Sequence, residues 1–206
     1  IVTRIRASGF ILLGKTATSE LGSMPYTEPP GFLPARNPWN LDYTPGGSSG
    51  GAAAAVAAGL CAIAQGSDAG GSIRGPASCC GLVGIKPSRG RVSSAPVGDR
   101  LSGIASGGPI ARTVADAAAL LDVMSGYVTG DPYWLPDPDP SFLASAMNPK
   151  LGSLRIAVTT VLPPLGDASP ACQKAVLDTV KLLEEMGHKV EPVSFELSDL
   201  IEPFKT

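Results

Sequence analysis

Two glycine-flanked serine clusters, joined by an apolar run, constrain this chain more than any other feature of its sequence. Residues 46–51 read GGSSGG, and residues 66–72 read GSDAGGS. The alanine-rich run between them predicts one short helix followed by one buried strand. Such a pair returns the chain to its starting end, so we expect Ser48 and Ser72 to adjoin at one edge of a sheet. Because glycine has no side chain, backbone N–H groups and a serine hydroxyl can converge there on a single site.

Two other interpretations of these clusters are weaker. Glycine- and serine-rich stretches are most often flexible linkers, but strong helix formers follow directly in residues 52–58. Residues 46–50 also satisfy the G-x-S-x-G pattern of a nucleophile elbow. That motif needs a buried strand before it, whereas residues 38–45 are polar and contain two prolines.

A Ser-His-Asp triad is disfavoured as well. The only histidine is His188, which follows a predicted helix end, where a surface or capping role is expected. An activated serine in this chain therefore needs another base. Lysine is the natural substitute.

The composition limits the class of protein. With 206 residues, 44% hydrophobic residues, 17% charged residues and a net charge of −2, the chain is typical of a soluble globular protein with one sizeable core. Its near-neutral charge does not favour nucleic acid or an anionic membrane as a partner, and no apolar stretch is long enough to span a bilayer. No metal-ligand cluster is recognisable. The four cysteines lack C-x-x-C spacing and are predicted to be buried free thiols in a reducing compartment, the cytoplasm.

Hydrophobic periodicity and capping signals predict the remaining elements. We expect helices over residues 2–8, 52–58, 73–80, 114–125 and 170–186, and strands over residues 10–13, 61–66, 82–85, 155–161 and 189–195. Thr113 should cap its helix, with Asp116 completing a capping box and Leu120, Leu121 and Met124 facing inward. The last strand, helix and strand imply a parallel crossover. Residues 22–43 are predicted to form an ordered surface loop that crosses toward the first serine cluster.

Three consecutive motifs resemble the amidase signature family. They are GGSSGG followed by an alanine-rich run in residues 46–59, the G-S-D-x-GGSIR-x-PA pattern in residues 66–77, and G-I-KPS-x-GR-V in residues 84–92. The resemblance extends to residues 13–20, 37–40 and 108–116, and it becomes loose after about residue 126. It implies an α/β fold in which helices cover both faces of a mixed central sheet.

The resemblance also implies a catalytic mechanism and its residues. Ser72 would attack the amide carbonyl to give an acyl-enzyme, and Ser48, placed by a cis peptide after Gly47, would pass protons between Ser72 and a lysine. The backbone N–H groups of Ala69, Gly70, Gly71 and Ser72 would hold the oxyanion. No cofactor and no metal are expected.

Three further residues are assigned supporting roles. Ser49 either supports Ser48 by hydrogen bonding or is a plain turn residue. Asp68 and Arg74 flank the second cluster with opposite charge, and we expect a structural pair or bonds to the loop backbone rather than contact with substrate.

The family's catalytic lysine lies upstream, in a segment that nothing here matches. Lys15 and Lys86 fall in other family motifs, where structural roles are expected. Residues 2–8 are typical of the end of a helix that begins earlier in a longer polypeptide. We therefore expect residues 1–206 to be part of a single amidase-signature domain. That part would lack the N-terminal segment with the lysine and the C-terminal portion.

Three functions stay open at this point. The chain is part of a hydrolase of carboxylic amides, part of the glutamine-hydrolysing component of a tRNA-dependent amidotransferase, or a non-catalytic relative or fragment. The expected partner is a small amide, without direct contact to nucleic acid or membrane. Either a second copy of the chain or the missing segments of the same polypeptide should pack against it.

Overall fold

The computed structural model describes residues 1–99, 101–149, 152–164 and 166–199. The chain divides into two compact units, residues 1–149 and residues 150–206. The first unit contains helices α1 (Val2–Ala7), α2 (Gly50–Ala57), α3 (Arg74–Cys80), α4 (Val114–Met124) and α5 (Phe142–Met147), with strands β1 (Ile63–Asp68), β2 (Val83–Gly84) and β3 (Ser106–Ala111). The second unit contains β4 (Arg155–Val158), β5 (Val161–Leu162), β6 (Gly166–Asp167), α6 (Pro170–Glu185) and β7 (Lys189–Pro192).

The sheet of the first unit has the order β1-β3-β2, and both of its strand pairs are antiparallel. Its middle strand, β3, was not predicted, because its sequence SGGPIA is rich in residues that strands usually avoid. The structure supplies the physical reason for one of its glycines. A Cβ on Gly108 would collide with the carbonyl oxygen of Ile85, so only glycine lets the neighbouring backbone approach β3 this closely.

Two clusters of buried side chains form the core of the first unit. In one, Ala52 and Ala53 of α2 pack with Ile73, Cys80 and Ile110. Alanines on this face of α2 allow the helix to lie close to the sheet. The second cluster is formed around α4 by Leu120, Leu121, Met124, Ile5 and Val92.

The predicted orientation and cap of α4 are confirmed. Leu120, Leu121 and Met124 are all buried. Thr113 is the N-cap, and its hydroxyl oxygen accepts a hydrogen bond from the Asp116 N–H at 3.0 Å. The Asp116 carboxylate accepts from the Thr113 hydroxyl at 2.7 Å and not from the Thr113 backbone N–H, so Thr113 caps the helix as predicted but the reciprocal bond of a capping box is not formed.

In the second unit, β4 and β7 pair in parallel with α6 between them in sequence, as predicted from the strand-helix-strand pattern. Helix α6 begins after the N-cap Ser169 with proline in its first turn. His188 follows the helix, and its Nδ1 accepts a hydrogen bond from the Leu154 N–H at 3.2 Å. The predicted strand 155–161 is shorter than expected because its end turns into a small β5–β6 hairpin.

The α/β class is confirmed, but the prediction of a strand over residues 10–13 is wrong. Ile11 and Leu13 are 84% and 74% exposed, and no described strand pairs with this segment. An extended segment becomes a strand only where a neighbour completes its hydrogen bonds, and the apolar pattern alone does not provide that neighbour.

The cysteine prediction is correct in one part and wrong in another. Within the described chain all four cysteines are free thiols, as expected. Cys80 is buried, and burial together with the neighbouring Cys79 raises the pKa of its thiol to about 11. Cys79 and Cys172 are exposed rather than buried, so an apolar sequence context alone does not predict the burial of a cysteine.

Candidate active site

The first serine cluster forms a tight turn that leads into α2. Ser48 is only 3% exposed, and the peptide bond between Gly47 and Ser48 is cis, as the resemblance implies. Gly46 has φ +82°, a backbone conformation that favours glycine. A Cβ on Gly47 would collide with the backbone of Met24 and Tyr26. The glycines before Ser48 are therefore required by both conformation and space.

Residues 17–27 wrap around this turn. The Ser19 N–H donates to the carbonyl of Ser48 at 3.1 Å, and the Gly51 N–H donates to the carbonyl of Ala17 at 3.2 Å. An added Cβ on Gly22 would lie 3.7 Å from Ser48 Oγ. This segment therefore borders the Ser48 hydroxyl.

Hydrogen bonds from Ser49 join the two serine clusters. Its N–H donates to the carbonyl of Ser72 at 3.2 Å. Its hydroxyl donates to the carbonyl of Ser67 at 3.3 Å and accepts from the Ser67 N–H at 3.2 Å. The Ser49 side chain thus bonds to the end of β1 rather than to the hydroxyl of Ser48, and it supports Ser48 only through the backbone.

Asp68 organises the second cluster from the end of β1. Its side chain is buried and accepts hydrogen bonds from the backbone N–H groups of Gly71, Ile73 and Arg74, at 2.7, 3.1 and 3.2 Å. The Arg74 guanidinium donates to both carboxylate oxygens, each at 2.9 Å. The structure therefore places Asp68 and Arg74 in an ion pair that also holds the loop backbone.

The same contacts decide the charge state of Asp68. Burial raises the pKa of this carboxyl, but the hydrogen bonds from Arg74 and from the backbone outweigh burial and lower the pKa to about 2. Asp68 is ionised at neutral pH, and its negative charge is fully used in binding the loop and Arg74.

Asp68 also determines which N–H groups of the loop are free. It occupies the N–H of Gly71 and the N–H of Ile73, on either side of Ser72. Within the described chain, the N–H groups of Ala69, Gly70 and Ser72 donate to no protein acceptor. Three of the four N–H groups predicted to hold an oxyanion are therefore available, whereas that of Gly71 is bonded to Asp68.

The linkage between Asp68 and folding gives a first prediction. Since the folded pKa lies below the ordinary value, the ionised carboxylate stabilises the fold above about pH 4, and this contribution is lost as the pH falls through about 2. Its size is about 2 kcal/mol. We expect Asp68→Asn to lower the thermal unfolding midpoint at pH 7 and to remove much of the decrease between pH 4 and pH 2. Exposed Asp42 provides the control: Asp42→Asn should keep the wild-type acid profile, and an unchanged profile in Asp68→Asn would contradict this assignment.

Neither candidate lysine contacts the two serines. Lys15 is exposed, and the Lys86 ammonium donates to the carbonyl of Pro87 at 3.3 Å. Among the described residues, no group of three or more potential metal ligands is found, and none of the helices has both the length and the apolar character needed to cross a bilayer.

The family of the chain follows from comparison with known sequences. A family model described as Amidase matches residues 1–205. This chain belongs to the amidase signature family. A protein of Synechocystis sp. named as an amidase is 61% identical over 204 residues, which are 99% of this chain and 40% of that protein. The 6-aminohexanoate-cyclic-dimer hydrolase of Paenarthrobacter ureafaciens is 47% identical over 194 residues, 92% of this chain and 39% of that enzyme.

Solved structures of the amidase signature family share this fold. A 6-aminohexanoate cyclic dimer hydrolase complexed with substrate gives a TM-score of 0.84 at 43% identity, covering 93% of this chain and 40% of that chain. One component of the glutamyl-tRNA(Gln) amidotransferase of Thermotoga maritima gives a TM-score of 0.80 at 37% identity, covering 93% of this chain and 42% of that component. The chain thus spans about 40% of the length of these relatives.

The sequence alone did not identify the buried residues of the segment that contacts the turn carrying Ser48. Ser19 and Thr27 are buried polar residues, 3% and 0% exposed. Both bond to the backbone of the turn or of the segment around it. Thr27 lies in a proline- and glycine-rich stretch, which normally indicates a solvated loop, so no local pattern marks it as buried.

Proposed function

We propose that this chain is the serine-bearing part of an amidase that hydrolyses a carboxylic amide through an acyl-enzyme. The observation that carries the proposal is the junction of the two serine clusters, in which the Ser49 N–H bonds to the carbonyl of Ser72. This bond joins the residue that follows the buried Ser48 to the partly exposed Ser72, which supports the assignment of both serines to one site in a member of the amidase signature family. The half-exposed Ser72 is the residue that a substrate can reach.

The reaction needs both a sharper nucleophile and a protonated leaving group, because an amide is a poor electrophile and an amine departs poorly. Ser72 Oγ attacks the carbonyl carbon, and its proton passes through the Ser48 hydroxyl to a lysine. The C–N bond then breaks as the same relay returns the proton to the amine nitrogen. Water, deprotonated by the relay, hydrolyses the resulting ester and restores Ser72.

The negative charge on the tetrahedral intermediate would be held by the loop between β1 and α3. The free N–H groups of Ala69, Gly70 and Ser72 are suited to this role, and each donor of this kind lowers the barrier by roughly 3–4 kcal/mol. Gly71 can join them only by sharing the N–H that it donates to Asp68. Its φ of +130° lets the loop turn without a side chain near the oxyanion.

The lysine of the relay would come from outside residues 1–206. Lys86 is bonded to a neighbouring carbonyl and Lys15 is exposed, so neither is arranged as a base for Ser48. A cytoplasmic location, a single domain that includes this chain, and contact with a second copy or with further segments of the same polypeptide remain predictions.

A second candidate is the glutamine-hydrolysing component of a tRNA-dependent amidotransferase, supported by the 37% identity to the Thermotoga maritima protein. The hydrolase is favoured because, among the solved structures, the identity to the cyclic-dimer hydrolase is higher, at 43%. Turnover of simple amides by the intact protein alone would support the hydrolase. Turnover of glutamine that depends on a second, co-purifying protein would support the amidotransferase.

The proposal predicts different activities for the intact protein and for residues 1–206 alone. The intact protein should hydrolyse small carboxylic amides, measured by release of ammonia or amine. The isolated chain should show no more than trace activity, since loss of one relay member commonly removes several orders of magnitude. Robust turnover by residues 1–206 would indicate that Lys15 or Lys86 is the catalytic base. Absence of amide turnover in the intact protein would favour a non-catalytic role.

A further inference from the structure

Thr27 contacts the turn that carries Ser48 on both sides of that serine. Its hydroxyl donates to the carbonyl of Gly46 at 2.9 Å, and its oxygen accepts from the N–H of Gly50 at 3.1 Å. Gly46 and Gly50 lie two positions before and two positions after Ser48. The Thr27 side chain is fully buried, so one side chain bridges the two ends of the turn without competition from water.

We propose that Thr27 is a positioning residue for the proton relay: its hydroxyl fixes the turn so that Ser48 lies within reach of Ser72. This inference rests on the proposed function. The role requires a group that both donates and accepts, because one partner is a carbonyl and the other an N–H. Serine can meet this requirement, whereas valine has the same shape as threonine but leaves both backbone groups buried and unpaired.

The packing around Thr27 leaves the turn little freedom. A Cβ on Gly50 would collide with Thr27 Oγ1 and would lie 3.1 Å from Pro45 Cγ. The backbone of Thr27 is held in turn by the Ala35 N–H, which donates to its carbonyl at 2.9 Å. Thr27 therefore restrains the start of α2 through both packing and hydrogen bonds.

Loss of the Thr27 hydroxyl should impair proton transfer through Ser48 and not the reactivity of Ser72 itself. Proton transfer requires hydroxyl oxygens about 2.6–3.2 Å apart, and a displacement of about 1 Å can reduce the rate by about 100-fold. The loop that carries Ser72 is held by the bonds of its backbone to Asp68, and its link to the turn is made by Ser49 and not by Thr27. Loss of the Thr27 hydroxyl would thus shift Ser48 while leaving Ser72 beside its oxyanion donors.

The test compares Thr27→Val with Thr27→Ser in the intact protein, using a small amide and an activated ester of the same acid. Thr27→Val should lower kcat for the amide by about 100-fold with KM changed less than about threefold, and kcat for the ester by less than about tenfold. Thr27→Ser should stay within about threefold of wild type for both substrates. The control is Thr129→Val, at an exposed threonine outside residues 17–27, which should match wild type.

Each alternative outcome has a distinct meaning. A wild-type protein without amide turnover overturns the proposed function itself. With an active wild type, the inference on Thr27 is wrong if Thr27→Val keeps its amide turnover, if Thr27→Ser loses as much as Thr27→Val, or if ester and amide turnover fall in parallel. Should Thr27→Val fail to fold, Thr27→Ala decides, because it removes the hydroxyl without adding volume beside Gly50; an unchanged ester-to-amide ratio there would overturn the inference.

Discussion

Replacing Ser72 by alanine should abolish the acyl-enzyme in the intact protein. Amide turnover should fall by about 10⁴-fold or more, and a fluorophosphonate probe should leave no adduct on the protein. The reason is that Ser72 supplies the oxygen that forms the new bond to carbon or phosphorus. Intact-protein mass spectrometry after incubation with the probe measures the adduct directly.

The contacts around Ser72 indicate that this variant should still fold. The bonds that hold its loop run from backbone N–H groups of neighbouring residues to Asp68, and the carbonyl of Ser72 accepts from the Ser49 N–H. None of these bonds uses the Ser72 hydroxyl. Ser78→Ala, at an exposed serine of α3, is the matched control and should retain both adduct and turnover. An adduct that survives in Ser72→Ala would place the nucleophile elsewhere.

The parts of the site that depend on local sequence were predictable. The helix expected over residues 52–58 and the strand expected over residues 61–66 correspond to α2 and β1, displaced by about two residues. Alanine-rich periodicity and the glycine boundaries act over a few residues, so they can be read without knowledge of the rest of the fold. These two elements are sufficient to place the serine clusters near each other.

The parts that depend on contacts between distant segments were not predictable. Strand β3 has an unfavourable sequence and forms because β1 and β2 lie on either side of it. Thr27 is separated in sequence from the turn that it bridges, and its neighbours are typical of a solvated loop. Likewise, the family resemblance implies a row of N–H donors in the second cluster, but only the structure shows that Asp68 accepts the hydrogen bond from the Gly71 N–H.

Removing the Ser48 hydroxyl should change the activity differently from removing the Ser72 hydroxyl. Ser48→Ala leaves Ser72 beside the free N–H groups of its loop but disconnects it from the lysine. This variant should still react with the fluorophosphonate probe, although slowly. Amide turnover should fall by about 10³-fold or more, while turnover of an activated ester should fall much less, because its leaving group needs little protonation.

The quantity to measure is therefore the ratio of ester to amide turnover in the intact protein. A rise of at least about 10-fold in Ser48→Ala is expected if Ser48 delivers the proton to the departing nitrogen. Ser49→Ala is the neighbouring control: its hydroxyl bonds to Ser67, so the variant should lose about 1 kcal/mol of stability with little change in the ratio. If Ser48→Ala abolished the adduct and Ser72→Ala kept it, the roles would be reversed, and Ser48 would be the nucleophile of a G-x-S-x-G turn.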